Sequence, residues 1–156
     1  DGLKFLHIAY DKFKARGYKH FVIYAQSLGG AIALRSLEEV SWQNEISLLV
    51  LDSSFRSPQE VARVKTHGLF WWLISSEYTA NPKLPHLTMP LLVIHAPKDP
   101  VVPFEFGQEL YNAAPSTQKT FWKLEEPDAY HGNVFFIKKG EYRNRFLELI
   151  YHGLLK

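Results

Sequence analysis

The sequence has no cysteine and a single methionine among its 156 residues. A disulfide framework, a thiolate nucleophile and a cysteine-ligated zinc are therefore excluded. The absence fits a reducing compartment, and the chain is expected to be cytoplasmic. Charge of one sign is lacking too: 18 Lys and Arg against 16 Asp and Glu leave a net charge of +2. That excess is too small for a nucleic-acid footprint, and no basic run stands out beyond Lys138-Lys139. Long hydrophobic runs are missing. The strongest, over 69–74, is far too short to span a bilayer, so no membrane span is expected. No secretory signal pattern opens the sequence. Its first residue is Asp1, which suggests a chain trimmed, processed or excised from something longer. There is no internal repeat and no low-complexity segment. What remains is 46% hydrophobic and 22% charged, the composition and length of one domain with one core.

Short apolar runs alternate with helical patterns along the chain. Leu3, Leu6, Tyr10 and Phe13 recur at helical spacing over 2–16, and Gly17 follows as a stop. Strands are expected over 21–26, 46–52, 91–96 and 119–125, the last more amphipathic, as suits a sheet edge. Helices are expected over 28–38, 104–113 (ending before Pro115) and 140–151. Nearly continuous apolar strands separated by crossover-length segments indicate a parallel α/β sheet. The stretch 53–88 breaks this rhythm and is a possible small lid or insertion. Ser57-Pro58-Gln59-Glu60 combines a capping box with proline at the first helical position, so a helix should begin there. Leu69 to Ile74 follows, then Pro82, Pro85 and Pro90. Two readings of its aromatics stand open. They fill core as part of a second crossover, or they belong to a lid lining a substrate pocket.

The run Phe21-Val22-Ile23-Tyr24-Ala25-Gln26-Ser27-Leu28-Gly29-Gly30 has the spacing of the G-x-S-x-G nucleophile elbow, with Ala25 in place of the first glycine. Small residues two positions to either side of the serine are expected to let strand and helix approach closely. A serine hydroxyl needs a base to act as a nucleophile, and the base needs an acid to fix its tautomer. In a parallel sheet such groups gather at the carboxyl ends of the strands. Just past the third strand lies Asp99, and just past the fourth lies His131. Asp52, ending the second strand, competes with Asp99 as the acid. Asp128 is too close to His131 along the chain to be preferred. Of the other histidines, His95 fits buried sheet packing, and His7, His20, His67, His86 and His152 fit surface or helix positions. None forms a metal-ligand spacing, so neither metal nor cofactor is expected.

The order serine, aspartate, histidine, together with Pro90-Leu91-Leu92-Val93-Ile94-His95 and Asp99-x-x-Val102-Pro103, resembles the α/β-hydrolase superfamily. The wording is similar to the serine aminopeptidase and dienelactone hydrolase-like serine hydrolases. Residues 21–34, 89–114 and 119–135 match that family's fifth, seventh and eighth strands with their loops, while 53–87 matches weakly. The resemblance implies a single, incomplete α/β-hydrolase catalytic domain over 1–156, with about four parallel strands, crossover helices and the family's N-terminal strands absent. It implies Ser27 as nucleophile, His131 as general base and acid, Asp99 as orienting carboxylate and the Leu28 backbone N–H as an oxyanion donor. Gln26, Phe70, Trp71 and Trp72 are substrate-pocket candidates. The implied activity is hydrolysis of carboxylic esters or related acyl bonds of a small-molecule substrate through an acyl-enzyme.

An alternative is a catalytically incompetent hydrolase fragment that associates with another copy or docks with its missing N-terminal half. Two physical expectations motivate it. The strand over 21–26 should form an unprotected sheet edge. One sheet face should have chiefly the last helix to cover it and so stay partly bare.

Overall fold

The computed structural model describes residues 2–154. Its elements follow the expected alternation: α1 Gly2–Ala15, β1 Phe21–Gln26, α2 Leu28–Leu37, β2 Ile46–Asp52, α3 Pro58–Lys65, β3 Leu91–His95, α4 Phe104–Ala113, β4 Lys119–Lys123 and α5 Glu141–Leu154. The four strands pair in sequence order, β1-β2-β3-β4, and all are parallel. Register aligns Gln26 with Asp52 and Asp52 with Ile94. The loops that follow β1, β2 and β3 therefore leave the sheet at one level, which gathers the candidate site at one edge. β3 and β4 end one and two residues earlier than the apolar pattern suggests.

Alternating side chains feed two cores. On one face Ile23, Ala25, Leu49, Leu51, Leu91 and Val93 pack with Leu34 and Leu37 of α2, Leu110 of α4 and Leu6 of α1. Tyr10 of α1 stacks on Trp42, ring centroids 4.2 Å apart, and Gly17 ends the helix with φ +73°, the left-handed stop glycine allows. On the other face Leu48, Val50, Leu92, Ile94 and Trp122 pack against α5 through Tyr142, Phe146 and Leu149.

This second face is better covered than the sequence suggests. The loop after β4 folds back over it, burying Leu124, Ala129, Val134 and Ile137 beside α5. A helix alone could not span the sheet's width; an apolar-dotted loop of about a dozen residues completes the layer. The edge expectation stands in part. Among the described residues β1 pairs only with β2, and Tyr24 on β1 stays 38% exposed.

The aromatics of the 53–88 stretch depart from the core-filling reading, although Ala80, Leu84 and Leu87 of the same stretch join the core. The helix begins where the capping box puts it: the Glu60 N–H donates to Ser57 Oγ at 3.3 Å, with Pro58 in the first turn. The Glu60 carboxylate, however, pairs with Arg56. Beyond α3, Phe70 takes a left-handed backbone with φ 58°, and Trp71–Leu73 form one 3₁₀ turn. Phe70, Trp71 and Trp72 are all exposed, Trp72 at 57%, and touch one another rather than the core. The segment is too short, between its turns, to lay a helical face on the sheet.

Candidate active site

Ser27 joins β1 to α2 with φ 53° and ψ −125°, a strained conformation for a residue bearing a side chain. The strain is held from both sides. The Ser27 N–H donates to the Asp52 carbonyl at 2.9 Å, and the Gly30 N–H donates to the Ser27 carbonyl at 2.9 Å. A serine at this helix position ordinarily caps the first turn. Here its side chain makes no cap hydrogen bond, because the positive φ swings it away from the α2 backbone. The close approach that small residues permit falls at Gly30, not at Gly29. A Cβ at Gly30 would lie 2.2 Å from Ser54 Oγ, whereas one at Gly29 would meet nothing within 4 Å.

Asp99 and His131 meet. The His131 Nδ1–H donates to Asp99 Oδ2 at 2.8 Å. A carboxylate only accepts, so the proton sits on Nδ1 and the lone pair of the neutral ring is on Nε2. Asp99 is oriented by its own loop: Oδ1 accepts the backbone N–H of Val101 at 2.8 Å and of Val102 at 2.9 Å. Its side chain is fully buried, while that of His131 keeps 21% exposure. The base candidate thus has solvent access and its acid partner does not. The ring of His95 lies beneath, with Nε2 donating to the Val102 carbonyl at 3.0 Å and lying 3.6 Å from Asp99 Oδ2. Burial holds its imidazole below the ordinary histidine range, against the opposing pull of the Val102 carbonyl and Asp99. His95 is accordingly a neutral donor in the sheet, as its apolar surroundings suggest.

The structure brings together Ser27, Asp99 and His131 at the same strand ends but does not join the first to the third. Among the described residues the Ser27 hydroxyl has no hydrogen-bond partner. Contacts of this kind are often long without substrate and tighten in the complex. Leu28 opens α2, and first-turn N–H groups have no partner within a helix. Asp52, the competing acid, faces elsewhere: its carboxylate accepts from Tyr24, Gln26 and Ser53. Asp128 engages through its backbone carbonyl, which accepts from Asn133 Nδ2 at 2.8 Å.

The pocket candidates separate. Gln26 sits at the site, its amide turned inward to Asp52 and to the Gly132 carbonyl. Phe70, Trp71 and Trp72 stand on the outer surface. A groove of about 1030 Å³ between α3 and α4 is lined by Val64, His67, Pro103 and Phe106 with charged residues, and not by those three aromatics. Lys65 Nζ donates to the Pro100 carbonyl at 2.5 Å, tying the end of α3 to the acid loop. Sequence reasoning missed Ser53 and Tyr24. The polar triplet Asp52-Ser53-Ser54 at a strand's carboxyl end was the available signal. Among the described residues no group of three or more His, Asp and Glu side chains is placed to hold a metal ion. No helix there is long and apolar enough to cross a membrane.

The four-stranded parallel α/β fold and similarity to known proteins agree: the chain belongs to the α/β-hydrolase superfamily. It is 31% identical over 139 residues to the lysophosphatidylserine lipase ABHD12 of Rattus norvegicus, a match covering 77% of this chain and 34% of that protein. It is 27% identical over 138 residues to the uncharacterized protein YfhR of Escherichia coli K12, covering 87% of this chain and 47% of that protein. Among solved structures, the Pyrococcus furiosus esterase Pf2001 superposes with a TM-score of 0.70 at 23% identity, over 96% of this chain and 61% of its own. The monoacylglycerol lipase of Paleococcus ferrophilus gives 0.62 at 17% identity, over 93% of this chain and 71% of its own. No protein-family model matches the sequence. The chain spans from about a third to a half of the length of these two curated relatives.

Proposed function

We propose that this chain carries the reacting groups of a serine hydrolase that cleaves carboxylic esters or related acyl bonds. The observation that carries the proposal is the 2.8 Å bond between His131 Nδ1 and Asp99 Oδ2, made at the sheet edge where Ser27 is held at positive φ. With Nδ1 committed to Asp99, Nε2 is the basic atom. It takes the Ser27 proton as Oγ attacks the acyl carbon, then returns that proton to the leaving alcohol, so the acyl group passes to serine. Water, deprotonated by the same nitrogen, releases the acid and restores the serine. The Leu28 N–H, at the positive end of α2, is aimed to stabilise the tetrahedral oxyanion. Relatives named as a lysophosphatidylserine lipase, an esterase and a monoacylglycerol lipase support an ester as the bond cleaved.

Rapid mixing of the full chain with a p-nitrophenyl ester tests this. A burst of phenolate equal to the enzyme concentration is expected, absent from Ser27→Ala and His131→Gln. Turnover in both variants at the parent rate would refute it.

Among the described residues the outer edge of β1 is unpaired, which favours a second reading, in which the site works only when further strands, from another copy or from additional hydrolase sequence, continue the sheet. Sedimentation of the isolated chain decides it: association is expected, and a monomer that resists dilution contradicts it.

A further inference from the structure

A second polar network lies beside the three candidate residues. Asp52 ends β2 and is fully buried. Its Oδ2 accepts the Tyr24 hydroxyl at 2.5 Å and Gln26 Nε2 at 3.0 Å, and its Oδ1 accepts Ser53 Oγ at 3.2 Å. Two of these partners continue to one residue. Gln26 Nε2 donates to the Gly132 carbonyl at 2.9 Å, and the Gly132 N–H donates to Ser53 Oγ at 3.0 Å. Gly132 is the residue after His131. The backbone carbonyl of Asp52 meanwhile accepts the Ser27 N–H at 2.9 Å.

The direction of every bond follows from the one buried carboxylate. A carboxylate only accepts. Ser53 therefore spends its single proton on Asp52 and offers a lone pair to the Gly132 N–H. Gln26 turns its NH₂ inward, one proton to Asp52 and the other to the Gly132 carbonyl. Tyr24 stays a donor, since burial and then the Asp52 charge push its hydroxyl well above the usual phenol range. A side chain at position 132 would strain the backbone and displace the Gln26 amide. The φ of Gly132 is +66°, and a Cβ would lie 2.5 Å from Gln26 Nε2.

We infer that Asp52, acting through Gln26 and Ser53, fixes both backbone polar groups of Gly132 and so holds the His131 ring against the strand end that carries Ser27. The three are positioning residues. Asp99 sets the rotation and tautomer of the ring; the clamp sets where the backbone delivers it. Base and nucleophile must be held to within about 0.5 Å for transfer, and a glycine in a surface loop supplies no such restraint by itself. The inference rests on His131 serving as the base of the proposed reaction.

The test uses the full chain with Gln26→Met, which keeps the length and removes both donors, Ser53→Ala, and the double variant. Each single variant removes one contact to Gly132 and one to the Asp52 carboxylate, and is expected to lower kcat about three- to tenfold with KM within about twofold. The double variant should lose more than the product, because either contact alone still holds one backbone group of the same residue. A second readout needs no turnover: the low-field proton resonance of His131 Nδ1–H should broaden or vanish in the double variant. Its loss supports the clamp even in a protein that cleaves no ester, so the two readings fail separately. A double variant with both that resonance and kcat within twofold of the parent overturns the clamp, even if its melting temperature falls.

Discussion

Gln26 Nε2 reaches the carbonyl of Gly132 at 2.9 Å, across 106 residues of sequence, so the residue before the candidate nucleophile grips the residue after the candidate base. The end of β1 and the loop after β4, from opposite sides of the sheet, are thereby joined at the point where chemistry is proposed. Neither segment in itself defines that meeting. The shared strand register does it, by aligning Gln26, Asp52, Ile94 and Trp122 across β1 to β4.

The two buried aspartates at this edge have different duties and predict different losses. Asp99→Asn leaves the shape intact but removes the acceptor that fixes the His131 tautomer, and hydrolysis should fall by about 10⁴. Asp52→Asn keeps one carboxamide oxygen for Gln26 and Tyr24, and its NH₂ can face Ser53. Its rate should fall less than about tenfold. Steady-state kcat of the two variants checks this. Equal losses, or the reverse order, would transfer the acid role to Asp52.

Glycine is demanded at 30 and tolerated at 29. Gly30→Ala drives a Cβ into Ser54 Oγ at 2.2 Å, where the neighbour is itself buried, and should cost about 1–3 kcal/mol. Gly29→Ala meets open space and exchanges glycine for a better helix former, a gain of up to about 1 kcal/mol. Urea unfolding of the two variants distinguishes them. Equal destabilisation would mean that the elbow needs small residues on both counts.

Stability should weaken on the acid side. Burial keeps His95 and His86 below the ordinary value of 6.5, so in the folded chain both stay neutral where the unfolded chain takes up protons. The contribution is present in full above about pH 6.5 and is lost as pH falls below it, because the unfolded state then binds more protons. Denaturant midpoints from pH 7.5 to 5 should decline, and His95→Gln should flatten the decline. A slope unchanged by that substitution would remove His95 from the account.

The alternation of strands and helices was legible because each buried strand is a nearly unbroken apolar run, as in Leu48 to Leu51 and Leu91 to Ile94, closed by a polar residue or proline. The elements of the site were legible for a related reason. Ser27 follows its strand directly, Asp99 and His131 lie in the loops after theirs, and in a parallel sheet that position is a place in space. Gln26 was legible as a residue of the site but not in its role, and Ser53 was not legible at all, since both act through hydrogen bonds to a backbone 79 and 106 residues away, which no local pattern encodes. The segment 69–74 left two readings open for the opposite reason. Six consecutive apolar side chains suit core or a lid equally, yet the backbone turns at His67–Gly68 just before them and again at Phe70, all at positive φ, and the run never settles on the sheet. Cover for the second face came from apolar residues scattered through a loop, Ala129, Val134 and Ile137, whose spacing follows neither a helix nor a strand.

The account rests on Ser27, Asp99 and His131 acting as one unit, and the most direct measurement is covalent. A fluorophosphonate reacts with a serine only when a base activates it. Mass-spectrometric mapping of the labelled full chain should find the phosphonyl group on Ser27, with labelling abolished in Ser27→Ala and strongly slowed in Asp99→Asn. A label on any other residue, or one that persists in Ser27→Ala, would contradict it.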